Sequence, residues 1–281
     1  MKGKLGDKED VKKAVRKRYG QIAKAQGSCC APQAPQASCG CGGGPQDVSK
    51  LIGYSDKELE TLPKGADLGL GCGNPVALAS LRKGETVLDL GSGAGIDCFL
   101  AARNVGPKGK VIGVDMTHEM LEKARHNAAK GGYRNVEFRL GEIEHLPVAD
   151  KSVDAVISNC VINLSPEKQR VFEEVFRVLR PGGRMMVSDI VLLQKLPDRV
   201  ATSIAAYVGC IAGAETKDRY LGAIRKAGFK DVKVVGEGSY PLDIADPQVA
   251  GIVKELGISA AEAKKLASGI LSVKVSALKP L

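Results

Sequence analysis

Hydrophobic and polar positions alternate along the central part of the chain with two different periods. Short runs of branched apolar residues predict strands at 86–90, 110–115, 136–140, 153–158 and 183–190. Amphipathic stretches between them predict helices at 75–81, 95–105, 117–131 and 166–179. Strands that alternate with helices build βαβ units around a parallel sheet. We therefore expect an α/β fold from about residue 75 onwards.

Both ends of the chain depart from this alternation. Residues 8–26 predict a basic helix, and residues 27–46 are rich in Gly, Pro, Ala, Gln and Cys without a period, which is typical of a flexible segment. Further helices are predicted near 198–212, 217–228, 246–256 and 259–270. Strands are predicted near 231–236 and 272–277, and the first of these is expected to return to the sheet.

This organisation predicts three parts. Residues 1–50 form the basic helix and a Cys-rich flexible segment, and residues 51–192 form the core. Residues 193–281 form a C-terminal α+β extension, part of which is expected to cover the ends of the strands as a lid.

The net charge of +9 raises the question of a nucleic-acid partner. The basic excess lies at the ends of the chain, and residues 1–28 alone hold nine Lys or Arg against three Asp or Glu. A phosphate-binding groove would place basic residues on the folded body among aromatic ones, but aromatic residues make up only 4% of the chain. No apolar run is long enough for a membrane span, and the first residues do not resemble a secretory signal. We expect a cytoplasmic protein that binds neither nucleic acid nor membrane.

The first predicted strand runs into a glycine-rich turn. Asp89 is followed by Gly91, Gly93 and Gly95, and a helix is predicted directly after them. Glycine lets the backbone turn sharply and approach a ligand closely at a strand-to-helix crossover. The turn could also serve packing alone or bind a dinucleotide. Its GxGxG spacing differs from the GxGxxG of dinucleotide sites, because position 96 is Ile.

An acidic residue, Asp115, ends the second predicted strand. A carboxylate there can accept two hydrogen bonds from ribose hydroxyl groups. The alternative is that it caps the helix at 117–131, although Thr117 suits the capping position. We favour nucleotide binding for Asp115.

Between about residues 80 and 190 the chain resembles class I methyltransferases. The motifs that carry the resemblance are LDLGSGAG at 88–95, GVD at 113–115, LGEIEHLP at 140–147 and LRPGG at 179–183. The resemblance implies a Rossmann-like sheet of seven strands whose last strand is inserted antiparallel, and S-adenosylmethionine as the methyl donor. It implies that Asp89 lies near the methionine part of the donor and that Glu142 and Ile143 contact its adenine. The full set of expected donor contacts is Asp89, Gly91, Gly93, Gly95, Asp115, Met116, Gly141, Glu142, Ile143 and Asn159.

The residues after the fourth strand face the transferable methyl group in such a fold. Here they read SNCVIN at 158–163, so the thiol of Cys160 occupies the acceptor position. An oxygen or nitrogen acceptor would usually need a general base, but His118, His126 and His145 are not well placed for that role.

Two further cysteines lie in segments that can converge on the same edge of the sheet. Cys210 lies in YVGCIAGA, and Cys72 lies in the glycine-dense GLGCGNP, where the backbone is expected to approach something closely. Each could also be a small buried apolar residue, as we expect for Cys98. Thiolates favour soft acceptors, and trivalent arsenic binds two or three sulfurs while its lone pair attacks the methyl group without a base.

The segments around these three cysteines resemble the arsenite methyltransferases of prokaryotes over most of residues 8–230. The resemblance implies that Cys160 and Cys210 hold arsenic, and that Cys72, with an N-terminal cysteine, takes part in arsenite binding and disulfide turnover. It also implies arsenite or its glutathione conjugate as substrate, thioredoxin or another thiol as reductant, and a role in detoxification. No permanent metal is expected.

Four N-terminal cysteines are candidates for the accessory thiol: Cys29, Cys30, Cys39 and Cys41. Their spacing does not match a zinc motif, so they fit either a delivery or redox loop or a metal-trapping tail. Two other functions remain open from the sequence: a methyltransferase for a small lipid or quinone, and a non-catalytic arsenic- or metal-binding protein.

Overall fold

The chain builds one mixed sheet of seven strands, seen in a computed structural model that describes residues 7–24, 44–203, 206–207, 210–240 and 247–281. The strands are β1 (Thr86–Leu90), β2 (Lys110–Asp115), β3 (Val136–Leu140), β4 (Val153–Asn159), β5 (Leu179–Leu192), β6 (Lys230–Ser239) and β7 (Ile270–Leu278). They lie in the order β3-β2-β1-β4-β5-β7-β6. β1 to β5 pair in parallel, and β7 lies antiparallel between β5 and β6. The expected class I methyltransferase fold is confirmed.

The helices of the described residues are α1 (Lys8–Lys24), α2 (Pro45–Leu51), α3 (Asp56–Glu60), α4 (Pro75–Leu78), α5 (Ile96–Val105), α6 (His118–Gly131), α7 (Lys168–Val178), α8 (Asp198–Ala201), α9 (Lys217–Lys226), α10 (Pro247–Leu256) and α11 (Ala260–Ala267). The start of α3 shows a capping box: Ser55 Oγ accepts a hydrogen bond from Glu58 N, and Glu58 Oε2 accepts one from Ser55 N. α1 packs against α6 and is fixed there by an ion pair of 2.8 Å between Lys24 and Glu119.

Two apolar layers hold the helices to the sheet. On one face, Phe172 of α7 and Tyr220 of α9 pack edge to face with ring centroids 5.3 Å apart. On the other face, Phe99 of α5 and Leu121 of α6 are fully buried. Each such side chain contributes roughly 1.5–3 kcal/mol by leaving water. These layers fix the strand ends, where the site lies.

Several elements differ from the prediction, since β5 begins at Leu179 instead of residue 183 and α2 was not predicted. The helix expected at 75–81 ends at Leu78. Within the helix expected at 198–212, the described residues show α8, which ends at Ala201, and helical residues 206–207. Cys210 lies in a turn with φ of +64°, a left-handed conformation that cannot continue an α-helix. The glycine-rich composition of this region, which includes Gly209 and Gly213, is consistent with a turn.

Candidate active site

A cleft opens at the carboxyl ends of β1, β2 and β4, and it encloses about 1050 Å³ when its open mouth is included. Parallel α/β sheets bind ligands at this edge. The expected donor contacts that line it are Asp89, Gly91, Gly93, Asp115, Met116, Gly141, Ile143 and Asn159. Gly95 and Glu142 lie beside the cleft but do not line it.

The glycine turn after β1 is held by backbone hydrogen bonds. Gly91 and Gly93 have φ of +66° and +51°, and Gly91 N donates to Val114 O over 2.8 Å. Gly93 N donates to Asp115 Oδ2 over 3.0 Å, and Thr117 N donates to Oδ1 of the same carboxylate over 2.8 Å. Thr117 occupies the capping position of α6 but makes no side-chain cap. Asp115 therefore ties the glycine turn to the start of α6 while it lines the cleft.

Gly91 and Gly93, two of the three glycines of this turn, have different surroundings, which gives a testable contrast. A Cβ on Gly91 would lie 2.4 Å from Val161 Cγ2, whereas a Cβ on Gly93 would meet nothing within 4 Å among the described residues, because it would point into open space beside the cleft. Gly91→Ala should lower the free energy of unfolding by about 2–4 kcal/mol, from overpacking and the strained φ. Gly93→Ala should cost about 1 kcal/mol in stability but weaken S-adenosylhomocysteine binding at least about tenfold. Urea unfolding and calorimetric titration of both variants test this; equal losses of stability would contradict it.

A pair of buried carboxylates forms the floor of the cleft. Asp89 and Asp97 are 2% and 3% exposed. Tyr54 Oη donates to Asp97 Oδ1 over 2.7 Å, and Asn159 Nδ2 donates to Oδ2 over 3.1 Å. Burial, reinforced by the charge of Asp97, raises the pKa of Asp89 well above its usual value, and burial raises the pKa of Asp97 to about 6. A cationic ligand would relieve this cost, so the floor suits an ammonium or sulfonium group.

Two polar atoms that line the cleft have no hydrogen-bond partner among the described residues. They are the buried Asp67 Oδ2 and Ser92 Oγ. Buried polar groups without partners cost about 1–3 kcal/mol each, so a native site usually supplies their partner from a ligand or water. Together with the acidic floor, they fit a polar, positively charged donor such as S-adenosylmethionine.

The raised pKa of Asp97 predicts how stability depends on pH. Between its unfolded value near 3.8 and its folded value of about 6, the folded protein binds more protons than the unfolded chain. The stabilisation of the folded protein that Asp97 contributes is therefore fully present below pH 3.8. It is lost as the pH rises from there through about 6, so the free energy of unfolding falls by up to about 3 kcal/mol.

Urea unfolding between pH 4 and 7.5 tests this with Asp97→Asn, which removes the titrating group. The variant should gain stability relative to the natural chain as pH rises. Asp218→Asn, at an exposed position on α9, serves as the control and should follow the natural chain. Parallel curves for Asp97→Asn and the natural chain would refute the assignment.

The acceptor end of the cleft is built from thiols. Cys160 follows β4 directly and lines the cleft, while Cys72 comes from the segment before α4. The Sγ atoms of Cys72 and Cys160 lie within 4.8 Å of each other, and Cys210 Sγ lies 3.5 Å from the backbone oxygen of Cys160. All three thiols are free and buried. The fold thus brings together three cysteines that are far apart in sequence.

Cys160 and Cys210 share an unusual backbone conformation. Their φ angles are +58° and +64°, in the left-handed region that non-glycine residues seldom adopt. Such conformations cost of order 1–3 kcal/mol each and persist only where the surroundings impose them, often at functional sites. The strain indicates that the positions of both sulfurs are fixed in advance.

Asn159 holds the segment of Cys72 against the end of β4. Its Oδ1 accepts a hydrogen bond from Cys72 N over 3.0 Å, and its Nδ2 donates to Gly73 O over 2.8 Å. A Cβ on Gly71 would lie 2.6 Å from Asn159 Nδ2, and one on Gly73 would lie 2.4 Å from Ser188 Oγ. The glycines of this segment are therefore needed for the close approach that the sequence predicted, and the approach positions Cys72.

The surroundings of these cysteines favour the protonated thiol over the thiolate. Burial raises the pKa of Cys72, and contact with Cys160 followed by burial raises the pKa of Cys210. Cys98 lies elsewhere, on α5, where its thiol donates to Asp89 Oδ2 over 3.2 Å. The three histidines are exposed and none lines the cleft.

A buried carboxylate, Asp189, faces the thiols from β5. Its carboxylate oxygen lies within 4.8 Å of the sulfurs of Cys72 and Cys160. Burial raises its pKa to about 7, although Tyr220 Oη and the backbone N of Ile190 both donate to it. Sequence reasoning missed Asp189 because a single aspartate inside a strand carries no local signal.

Helix α1 forms one wall of the cleft. Lys12, Val15 and Tyr19 line it, and Tyr19 Oη lies 3.9 Å from Cys210 Sγ. The ammonium of Lys12 lies 2.7 Å from Glu142, which also pairs with Arg16 over 3.1 Å. The structure thus engages Glu142 with α1, and its expected contact with adenine stays a prediction.

The four N-terminal cysteines lie outside the described residues: Cys29, Cys30, Cys39 and Cys41. No helix of the described residues is long and apolar enough to cross a membrane.

Comparisons with known proteins place this site in context. A family model described as a methyltransferase domain matches residues 81–228. The arsenite methyltransferase of Halobacterium salinarum is 54% identical over 81% of this chain, and that of Aquipseudomonas alcaligenes is 41% identical over 64% of it. These matches cover 59% and 53% of the two relatives, so the chain spans somewhat more than half their length.

A solved structure is similar over most of the fold. It is the crystal structure of CrArsM, an arsenic(III) S-adenosylmethionine methyltransferase from Chlamydomonas reinhardtii. The two chains are 35% identical with a TM-score of 0.60, and the match covers 83% of this chain and 73% of the other.

Proposed function

This chain belongs to the arsenite methyltransferase family, and we propose that it transfers a methyl group from S-adenosylmethionine to trivalent arsenic held by its thiols. The observation that carries the proposal is the meeting of Cys72, Cys160 and Cys210 beside a cleft with an acidic floor. The three cysteines favour arsenic as the acceptor, because soft thiolate ligands bind trivalent arsenic far better than they bind hard oxygen or nitrogen acceptors.

The donor half of the cleft is suited to hold a nucleoside with a positively charged tail. Bound S-adenosylmethionine supplies an activated methyl group on a sulfonium sulfur. The Asp115 carboxylate is placed to accept hydrogen bonds from ribose hydroxyls, with its position fixed by Gly93 N and Thr117 N. Asp89 and Asp97 offer negative charge to the tail, and Asn159 links that floor to the segment of Cys72.

The acceptor half needs no general base. Arsenic bound by Cys160 and Cys210, with Cys72 as third ligand or resolving thiol, keeps a lone pair on arsenic. That lone pair forms the new As–C bond while the C–S bond of the donor breaks and S-adenosylhomocysteine leaves, so no proton is removed from the acceptor. Arsenic becomes formally pentavalent in this step, and two bound thiolates return it to the trivalent state by leaving as a disulfide. The chain's task is positioning, and the fixed backbones of Cys160 and Cys210 support it.

The partners we propose follow from the protonated, buried thiols. Arsenite or its glutathione conjugate would deliver arsenic by exchange with Cys thiols, and thioredoxin or another thiol would reduce any disulfide formed afterwards. We place this chemistry in the cytoplasm, where such reductants keep cysteines as thiols.

A one-pot assay tests the function. Purified protein, S-adenosylmethionine, glutathione and arsenite are incubated, and arsenic species are separated and identified by mass. Methylated arsenicals together with equimolar S-adenosylhomocysteine are expected. Arsenic that is bound but unmethylated would instead indicate an arsenic-binding protein, and turnover of a quinone without turnover of arsenite would indicate another methyltransferase.

A further inference from the structure

We propose that Cys72, Cys160 and Asp189 form a binding site for Zn²⁺ or a similar thiophilic divalent cation, a role separate from arsenic methylation. The two sulfurs and the Asp189 carboxylate oxygen all lie within 4.8 Å of one another, and all three residues are buried. Thiolate and carboxylate are both common zinc ligands. Two sulfurs around a tetrahedral zinc lie about 3.8 Å apart. Side-chain rotations that move each sulfur by about 1 Å or less would therefore bring the two cysteines to bonding distance from one zinc ion.

Hydrogen bonds from three neighbouring groups hold the Asp189 carboxylate in place. Asn163 Nδ2 donates to Oδ1 over 2.6 Å, and the backbone N of Ile190 donates to the same oxygen over 3.0 Å. Oδ2 accepts one hydrogen bond, from Tyr220 Oη over 3.1 Å, which leaves a lone pair of this oxygen for a cation. Such outer hydrogen bonds fix ligating carboxylates in metal sites.

Charge balance also favours a divalent cation here. Two thiolates and one carboxylate carry three negative charges, and Lys168 lies close enough to attract Asp189 electrostatically. A divalent cation with Lys168 neutralises all three charges, whereas burial opposes separated charges at this position. The sulfur of Cys210, which lies 3.5 Å from the backbone oxygen of Cys160, would be the nearest candidate for a fourth ligand.

Zinc and arsenic would use different donors in this pocket. Trivalent arsenic binds sulfurs in a pyramid and gains little from a carboxylate, whereas zinc accepts the oxygen readily. Asp189 therefore distinguishes the two ions. Because zinc and arsenic would share Cys72 and Cys160, zinc should compete with arsenite. This competition rests on the proposed function, whereas the binding of zinc does not depend on it.

The test uses Co²⁺ as a spectroscopic probe and Zn²⁺ as competitor, with neither arsenic nor methyl donor present. The background is the full chain with serine at its N-terminal cysteines, which could also take metal: Cys29, Cys30, Cys39 and Cys41. This background should bind one Co²⁺ with tetrahedral, thiolate-ligand spectra, and Zn²⁺ should displace it with release of about two thiol protons per ion.

Substitutions then separate the donors. Asp189→Asn should weaken Zn²⁺ binding at least about tenfold and leave arsenite binding within about threefold, and Tyr220→Phe should weaken zinc through the lost orienting hydrogen bond. Asp231→Asn, at an exposed position on β6, should leave zinc affinity unchanged. If Asp189→Asn fails to fold by circular dichroism, Tyr220→Phe and zinc protection of Cys72 and Cys160 from alkylation decide the question.

The site is overturned if the background binds no metal, or if Asp189→Asn and Tyr220→Phe bind Zn²⁺ as tightly as the background. Because the titration contains no arsenic or donor, its failure leaves the methylation assay untouched. Failure of the methylation assay likewise does not affect the conclusion drawn from the metal titration.

Discussion

Replacing Cys160 by serine should lower the rate of arsenic methylation at least about 10³-fold, a loss of about 4 kcal/mol of transition-state stabilisation. The reason is that a serine hydroxyl is a hard, weak ligand for trivalent arsenic, so the acceptor is no longer held beside the donor cleft. Cys160 lines that cleft, and its strained backbone fixes the sulfur. Rates are measured by mass analysis of methylated arsenic under single-turnover conditions.

Two controls separate loss of the ligand from loss of the fold. Binding of S-adenosylhomocysteine by Cys160→Ser should stay within about twofold, because donor contacts are untouched. Cys98→Ser makes the same chemical change at another buried cysteine and keeps a donor for Asp89, so it should lose less than about tenfold. Full activity in Cys160→Ser would show that this thiol does not bind the acceptor.

The sheet and its helices were largely predictable because their signals are local. β1, β2 and β4 are short runs of mostly buried apolar residues, and Pro181 and Gly182 follow closely on the end of α7. The strand order was not available from periodicity. The antiparallel insertion of β7 between β5 and β6 depends on pairing between β5 and β7, whose partners, such as Arg184 and Leu278, are far apart in sequence, and only the family resemblance anticipated it.

The candidate site divides in the same way. The glycine turn and Asp115 could be found from the sequence, because the residues that form this part of the site stand at fixed positions around one strand-to-helix crossover. Asp97, in the first turn of α5, has the local pattern of an ordinary charge at a helix N-terminus, and only the fold shows it buried beside Asp89. The turn that carries Cys210 was predicted as part of a helix, although the neighbouring glycines in its sequence favour a turn.

The position of helix α1 in the fold could not be predicted from its charge pattern. A basic amphipathic helix at the end of a chain is usually a solvated element, and its role could not be derived from sequence. In the structure Val11 and Val15 pack in the same apolar cluster as the three thiols, while Lys12 reaches Glu142 on the donor side. The helix therefore contacts both halves of the cleft.

Replacing Asp115 by alanine should weaken S-adenosylhomocysteine binding about 10²–10³-fold. Two charge-assisted hydrogen bonds to ribose hydroxyls contribute roughly 1.5–2 kcal/mol each, and every 1.4 kcal/mol is a factor of ten in affinity. The carboxylate also accepts from Gly93 N and Thr117 N, so its loss loosens the glycine turn. Asp115→Asn keeps one acceptor oxygen and should bind with intermediate affinity.

Isothermal titration calorimetry measures these affinities, and urea unfolding reports any loss of stability. His118→Ala, at an exposed residue three positions further along the chain, provides a neighbouring control that should bind normally. If Asp115→Ala keeps its affinity within about threefold of the natural chain, the carboxylate serves only to hold the turn, and the ribose must be recognised elsewhere.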